Sequence, residues 1–272
     1  MRALVLALCL LMALPAAAAD AKKQPALRKE FQLQYAMYTG GFDVVTVDGS
    51  FKHTASTYDL ELLAYTKGLL GTLAPWKGEL NTTGKYGKKG TYTPSKHRFS
   101  SWWRRKEERT TFLYDKSGNF KSMEIVEEDG NVINELPDPA LAKGTHDMLT
   151  ALAIMLKQYE KTGSCSVSVP SFDGKRRFLM KFTDTGDATI KPSRYSIYEG
   201  TARTCTIEIV PDGGLWHEKP RGWMTVQEQS KAGNKLPKLW IAKPAQDIPP
   251  VPVRFDVFTA YGNIVMHLTG VK

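Results

Sequence analysis

The chemically capable side chains of this 272-residue chain are mainly basic and aromatic, and they gather in three places. In "SSWWRRKEERTTF", Trp102 and Trp103 precede Arg104 and Arg105. Such a group can stack on a glycan or hold a lipid headgroup through cation–π contact and charge. The plainer reading is a strand, whose alternation sends adjacent tryptophans to opposite faces. In "FDGKRRF", Lys175, Arg176 and Arg177 follow an Asp-Gly turn, as an anion site or as a solvated strand face. Arg176 opposes the other two on a regular strand and needs a carboxylate partner if it is buried. In "GTHDMLTALAIMLKQYEKTG", Met148, Leu152 and Met155 belong to an apolar run whose methionines adapt to varied hydrophobic ligands.

Other reactive groups are scattered. His53, His97, His146, His217 and His267 show no metal-ligand spacing such as H-x-x-x-H. There is no G-x-S-x-G elbow and no phosphate-binding glycine loop. Glu107-Glu108 and Glu127-Glu128-Asp129 read as solvated turns. No metal and no cofactor are expected, and catalysis ranks last among the functions considered, although a site assembled from distant residues leaves no motif.

The N-terminus "MRALVLALCLLMALPAAAAD" has one cation, a short apolar run and small residues before Asp20, which predicts a secretory signal peptide over 1–19 cleaved after Ala19. Cys9 is not placed as a lipidation site, because Leu8 precedes it. Residues 20–29 form a basic lead-in, and 30–272 read as one β-rich domain. The expected location is the periplasm of a Gram-negative bacterium. Of three cysteines, Cys165 and Cys205 remain after export, and an exported pair usually oxidises. Closing a loop of about 40 positions stabilises by roughly 4 kcal/mol in the chain-entropy account. The competing reading is a redox-active or metal-binding pair, which lacks C-x-x-C spacing. The net charge of +9 excludes no polyanion by itself, but export makes nucleic acid an unsuitable partner. No later segment is apolar for long enough to span a membrane.

The elements that must hold these groups are mostly strands. "FQLQYAMYTGGFDVVTVDGSF" alternates around Gly40-Gly41, and "STYDLELLAYTKGLL" continues the alternation. "FLYDKSGNFKSMEIVEED" is a hairpin. Further strands are expected at "CSVSVPSF", "RRFLMKFTDTG", "SRYSIYEGTARTCTIEIV", "GWMTVQEQ" and "KLWIAKP", with a last hairpin turning at residues 261–263. One helix is expected between Gly144 and Gly163, capped by Thr145 or Asp147 and buried nearly all round. The expected fold is mostly β: a single large, strongly curved antiparallel sheet, as a half-barrel or β-spiral, wrapped around one buried helix.

The stretches "TKGLLGTL", "SKHRFSSWWRRKEERTTFLYDKSG", "GTHDMLTALAIML", "FDGKRRF", "YEGTARTC" and "LWIAKPAQDIPPVPVRF" occur in this order over about Phe31 to Gly270. Together they resemble the bacterial periplasmic proteins of domain of unknown function family 3108. In alphaproteobacterial versions a cysteine precedes the FDG-R-R turn and accompanies a later one, and Cys165 and Cys205 match both positions. The helix start departs from the family, reading His146-Asp147-Met148-Leu149 where Asp-Pro-x-Ser is frequent. The resemblance implies a secreted β-rich, barrel-like fold, similar to envelope proteins that carry lipoproteins or bind periplasmic partners.

The function expected is therefore a non-enzymatic envelope protein binding a hydrophobic or lipid-like ligand, such as a lipid or lipoprotein acyl chain. Its candidate ligand-binding residues are Trp102, Arg104, Arg105, Met148, Leu152, Met155, Lys175, Arg176 and Arg177. The alternatives are an envelope-integrity scaffold that docks other periplasmic proteins, and an envelope hydrolase. An empty apolar space between helix and sheet would favour the carrier, and dense packing the scaffold.

Overall fold

The computed structural model describes residues 26–88, 91–219, 223–233, 235–259 and 262–272. The leader expected over 1–19, residues 20–25 of the basic lead-in and residue 261 of the last turn lie outside them. Fourteen strands follow one another: β1 (Glu30–Thr39), β2 (Phe42–His53), β3 (Thr57–Thr66), β4 (Trp76–Tyr86), β5 (Tyr92–Trp103), β6 (Lys106–Tyr114), β7 (Phe120–Val126), β8 (Val132–Glu135), β9 (Val167–Phe172), β10 (Arg176–Ile190), β11 (Gly200–Gly214), β12 (Lys238–Ala242), β13 (Val251–Thr259) and β14 (Gly262–Val271). Four helices interrupt them: α1 (Gly68–Leu73), α2 (Pro139–Ala142), α3 (Met148–Thr162) and α4 (Trp223–Ala232).

All strands join one sheet in the order β8-β7-β6-β5-β4-β3-β2-β1-β14-β13-β12-β11-β10-β9. Every neighbouring pair is antiparallel. The first and last strands in sequence, β1 and β14, pair at the middle, with Leu33 opposite Val271. The sheet therefore grows outward from the meeting of the two ends of the chain, and its edges are β8 and β9.

That order corrects the expected half-barrel or β-spiral, and with it the barrel-like closure: the sheet is open. β8 is only four residues long. The outer edge of β9 is occupied by His146, whose N–H donates to the Pro170 carbonyl at 2.9 Å and whose carbonyl accepts from the Phe172 N–H at 3.0 Å. A blocked edge opposite a very short one leaves no ladder by which the sheet could close.

The helices are also corrected. In "GWMTVQEQ", expected as a strand, the residues from Trp223 onward begin α4, and residue 222 lies outside the described residues. Their buried positions recur at helical spacing: Gln227 and Ser230 are both buried. Gln227 donates from Nε2 to the Ile209 carbonyl (2.9 Å) and accepts the Ile209 N–H (2.6 Å), tying α4 to β11. The segment "GLLGTL", expected to continue a strand, is the helical turn α1, with no buried residue. α3 starts after Asp147 and ends at Gly163, whose φ of 73° supplies the left-handed cap. It is not buried all round. Leu149, Thr150, Ala151, Ala153 and Met155 are buried, while Met148 is 42% exposed and Leu152, Ile154 and Leu156 are only partly covered. Its exposed residues gather towards the C-terminal half, at Lys157, Glu160 and Lys161, while Ala151 and Met155 are fully buried.

α3 rests on β4 and β5 along one flank and on β9 and β10 along the other. The β9–β10 turn settles on β6 and β7. Gly174 there has φ of 101°, and a Cβ on it would stand 2.8 Å from Met123 Sδ. Only glycine satisfies both the turn and that approach. Phe172 joins Phe112 and Phe120 beside this turn, with ring centroids 6.2 and 5.2 Å away.

Candidate functional site

Between α3 and the sheet lies a cavity of about 720 Å³. Its walls come from β1–β5, from α3 and from β10–β14, with Phe51, Leu60, Leu62, Leu152, Met180 and Phe182 among them. Strand alternation explains the lining, because Leu60 and Leu62 are two positions apart on one face of β3. Helical spacing does the same on α3, where Leu149, Leu152, Ala153 and Leu156 share a stripe. Polar groups enter the lining at one end, near the β2–β3 and β4–β5 turns: Lys52, His53, Thr54, Glu61, Lys157 and Glu160. Lys52 is paired with Glu30 at 3.0 Å, and His53 Nε2 meets the Arg28 carbonyl at 2.9 Å. Lys157 makes no ion pair among the described residues; its ammonium stands 5.9 Å from the Tyr86 ring centroid.

The roof of this cavity is held by a buried polar knot that no sequence signal singled out. Asp147, 1% exposed, caps α3 by accepting the Thr150 N–H at 2.9 Å. Its carboxylate also accepts hydroxyl protons from Thr150 (2.7 Å), Thr82 of β4 (2.9 Å) and Tyr114 of β6 (3.3 Å). His97 Nδ1 of β5 lies 3.3 Å from Asp147 Oδ1 and 2.7 Å from Thr82 Oγ1. Because Thr82 gives its proton to Asp147, that last contact requires the proton on Nδ1. Burial is the largest influence on Asp147 and pushes its carboxyl up, but His97 and the bonds from Thr150 and Thr82 hold it below the usual carboxylate range. Burial also dominates at His97 and holds the imidazole below its ordinary value, with Asp147 opposing. The knot thus reads as an ionised carboxylate, buried and held by protein hydrogen-bond donors, beside a neutral histidine. Thr145 and Asp147 were both possible caps; Asp147 holds the position and Thr145 instead donates to the Ala142 carbonyl at 2.6 Å.

The other sequence candidates are dispersed. Met148 and Leu152 line the cavity. Met155 does not; it is fully buried in the core with Cys165 and Cys205. Those two cysteines form the disulfide, with Cα atoms 6.3 Å apart, joining the entry to β9 to β11. Arg176 pairs with Asp173 at 2.6 Å and lies 5.0 Å from the Trp216 ring. Arg177 pairs with Asp212 at 2.6 Å and donates to the Leu141 and Lys143 carbonyls. Lys175 is exposed. This cluster ties α2 to the β10–β11 ladder and stands apart from the cavity. Trp102, Arg104 and Arg105 also lie away from it, at the β5–β6 turn. Trp102 is partly covered by Lys77, 4.5 Å from its ring, and Trp103 is exposed.

No helix among the described residues is long and apolar enough to cross a membrane, which leaves open what strands do. Among the described residues no group of three or more His, Cys, Asp or Glu side chains is placed to hold a metal ion. None of the curated proteins matches the chain. The crystal structure of a beta-barrel-like protein of domain of unknown function DUF1849 from Brucella abortus is similar at 10% identity and a TM-score of 0.47, over 91% of this chain and 98% of that one. A likeness of that degree carries no functional argument. The model of the family described as a protein of unknown function, DUF3108, matches residues 34–269, and the chain belongs to that family.

Proposed function

We propose that this is a non-enzymatic protein of the cell envelope that holds a hydrophobic, lipid-like ligand between α3 and the sheet. The observation that carries the reading is the cavity of about 720 Å³ with an apolar interior and its charges confined to one end. That volume falls within the range of small-molecule sites, roughly 300–1,000 Å³. Met148, Met180 and Met266 on its wall suit ligands of variable shape. Lys157, free of an ion pair among the described residues, stands where an acidic headgroup would emerge. The competing scaffold reading needs a filled interior. Family membership suggests a periplasmic or envelope location, and the leader-like N-terminus and the Cys165–Cys205 bridge support it.

Native mass spectrometry of protein purified from periplasm is the test, with uptake of a fluorescent fatty acid by delipidated protein as its second arm. A co-purifying amphiphile, or saturable uptake, is the expected result. Protein that carries no lipid and takes up none would overturn the proposal.

A further inference from the structure

One end of the sheet, opposite the polar end of the cavity, carries apolar side chains on three adjacent connections. The β1–β2 turn presents Phe42, 75% exposed. The next connection, between β3 and β4, presents α1 with Leu69 at 75% and Leu73 at 64% exposure. The third, the β5–β6 turn, presents Trp103 followed by Arg104 and Arg105. These connections are joined to one another. Lys67 donates from its backbone to the Val44 carbonyl at 2.9 Å and pairs with Asp43 at 2.7 Å, fixing α1 beside Phe42. Arg104 donates from its backbone to the Pro75 carbonyl at 3.2 Å, fixing the third turn beside α1. Strands in a sheet are about 4.8 Å apart, so connections two strands apart make a ridge roughly 20 Å long.

Two features of the ridge have no account in folding. α1 has no buried residue, and its Leu69 and Leu73 stand mainly in solvent. Arg104 and Arg105 have φ of 48° and 73°, left-handed values in a two-residue hairpin turn where Asn and Gly are the comfortable residues. Strain kept at an exposed position points to a role for the side chains it displays. Neither arginine makes an ion pair among the described residues; Arg104 lies 6.0 Å from the Trp103 ring. Of the nearby acids, Asp43 is paired with Lys67, Glu128 with Lys106 and Glu107 with Arg109, while exposed Glu108 makes no ion pair among the described residues. Glu127 and Asp129, on the next turn outward, accept bonds from Asn131.

We propose that this ridge docks the protein on an anionic lipid bilayer, with Phe42, Leu69 and Leu73 entering the acyl boundary and Arg104 and Arg105 meeting the phosphates. Protruding tips suit a soft surface rather than a preformed pocket. Tryptophan is favoured at the membrane interface, and arginines beside apolar tips complement acidic headgroups. The proposal concerns the end of the fold away from the cavity's polar end, so it stands or falls independently of ligand binding there.

The test is flotation of the exported chain with vesicles of phosphatidylethanolamine and phosphatidylglycerol, against vesicles of phosphatidylcholine alone. Binding is expected to the anionic vesicles, weakening as salt is raised. F42S/L69S/L73S, which touches no buried residue, is expected to lower binding at least tenfold with unchanged circular dichroism. R104N/R105N keeps residues that tolerate the turn and is expected to lower binding to anionic vesicles by more than tenfold. Absence of wild-type flotation, or flotation unaltered in both variants, overturns the proposal. So does a wild-type dimer that the triple serine variant converts to monomer without any vesicle binding, since the ridge is then an interface between copies.

Discussion

Replacing Asp147 with alanine removes one carboxylate and strands the groups that converge on it. The cap bond to the Thr150 N–H is lost, which in other helices costs about 1 kcal/mol. Thr82 and His97 retain each other across 2.7 Å, so their loss is partial. The Thr150 hydroxyl has backbone carbonyls within its own helix to turn to. Tyr114, buried and donating only to Asp147, is left with no acceptor, a penalty of about 1–3 kcal/mol. The sum is about 2–4 kcal/mol, a large share of the roughly 5–15 kcal/mol by which a domain is stable. Urea unfolding with the disulfide intact, repeated between pH 6.5 and 9, measures it. The neutral state of His97 makes a further demand: the loss should stay constant over that range, because the stabilisation comes from hydrogen bonds to an ionised carboxylate. A loss below 1 kcal/mol would refute the accounting. A loss that fades as pH rises through the histidine range would refute the neutral histidine, because an imidazolium–carboxylate pair would then be responsible.

Three further outcomes are expected. Leu152→Trp should fill the cavity and reduce fatty-acid uptake at least tenfold while changing the thermal midpoint by only a few degrees; full uptake would place the ligand elsewhere. Replacing both Cys165 and Cys205 with serine should lower stability by about 4 kcal/mol, from a sequence separation of 40, with dithiothreitol reproducing the effect on the wild type. Burial holds His97, His146 and His267 below the ordinary histidine value of 6.5, with Asp147 opposing at the first two and Arg254 adding to the effect at the third. The unfolded chain therefore binds more protons below that pH. Stability is fully present above 6.5 and is lost as pH falls towards the folded values, by at most about 1.4 kcal/mol per pH unit for each histidine. Urea midpoints at pH 8 and pH 5 check the sign, and a higher midpoint at pH 5 contradicts it.

Local features were legible because their causes are local. Asp147 and Gly163 bracket α3 as cap chemistry predicts, and the pair of cysteines outside the leader-like N-terminus anticipated the bridge. Alternation placed Leu60 and Leu62 together on one strand face. The same logic failed at "GWMTVQEQ", where alternation of polar and apolar residues concealed a helical stripe. The two backbone bonds from Gln227 to β11 are long-range and leave no mark on composition.

Residue order along the chain therefore determined most of the strand segments (though not α1 and α4), where the main helix starts and stops, and which residues could pair through sulfur. The chain could not state that β1 and β14 meet at the centre, that His146 occupies the edge of β9 and keeps the sheet open, or that α3 shows one face to a cavity and packs another, with Ala151 and Met155, into the core around the disulfide. Nor could it gather Thr82, His97, Tyr114 and Thr150 around one carboxylate. Those outcomes depend on strand order and on contacts between residues far apart in sequence. Alternation and capping act over a few residues and carry no record of which distant neighbour each face will meet.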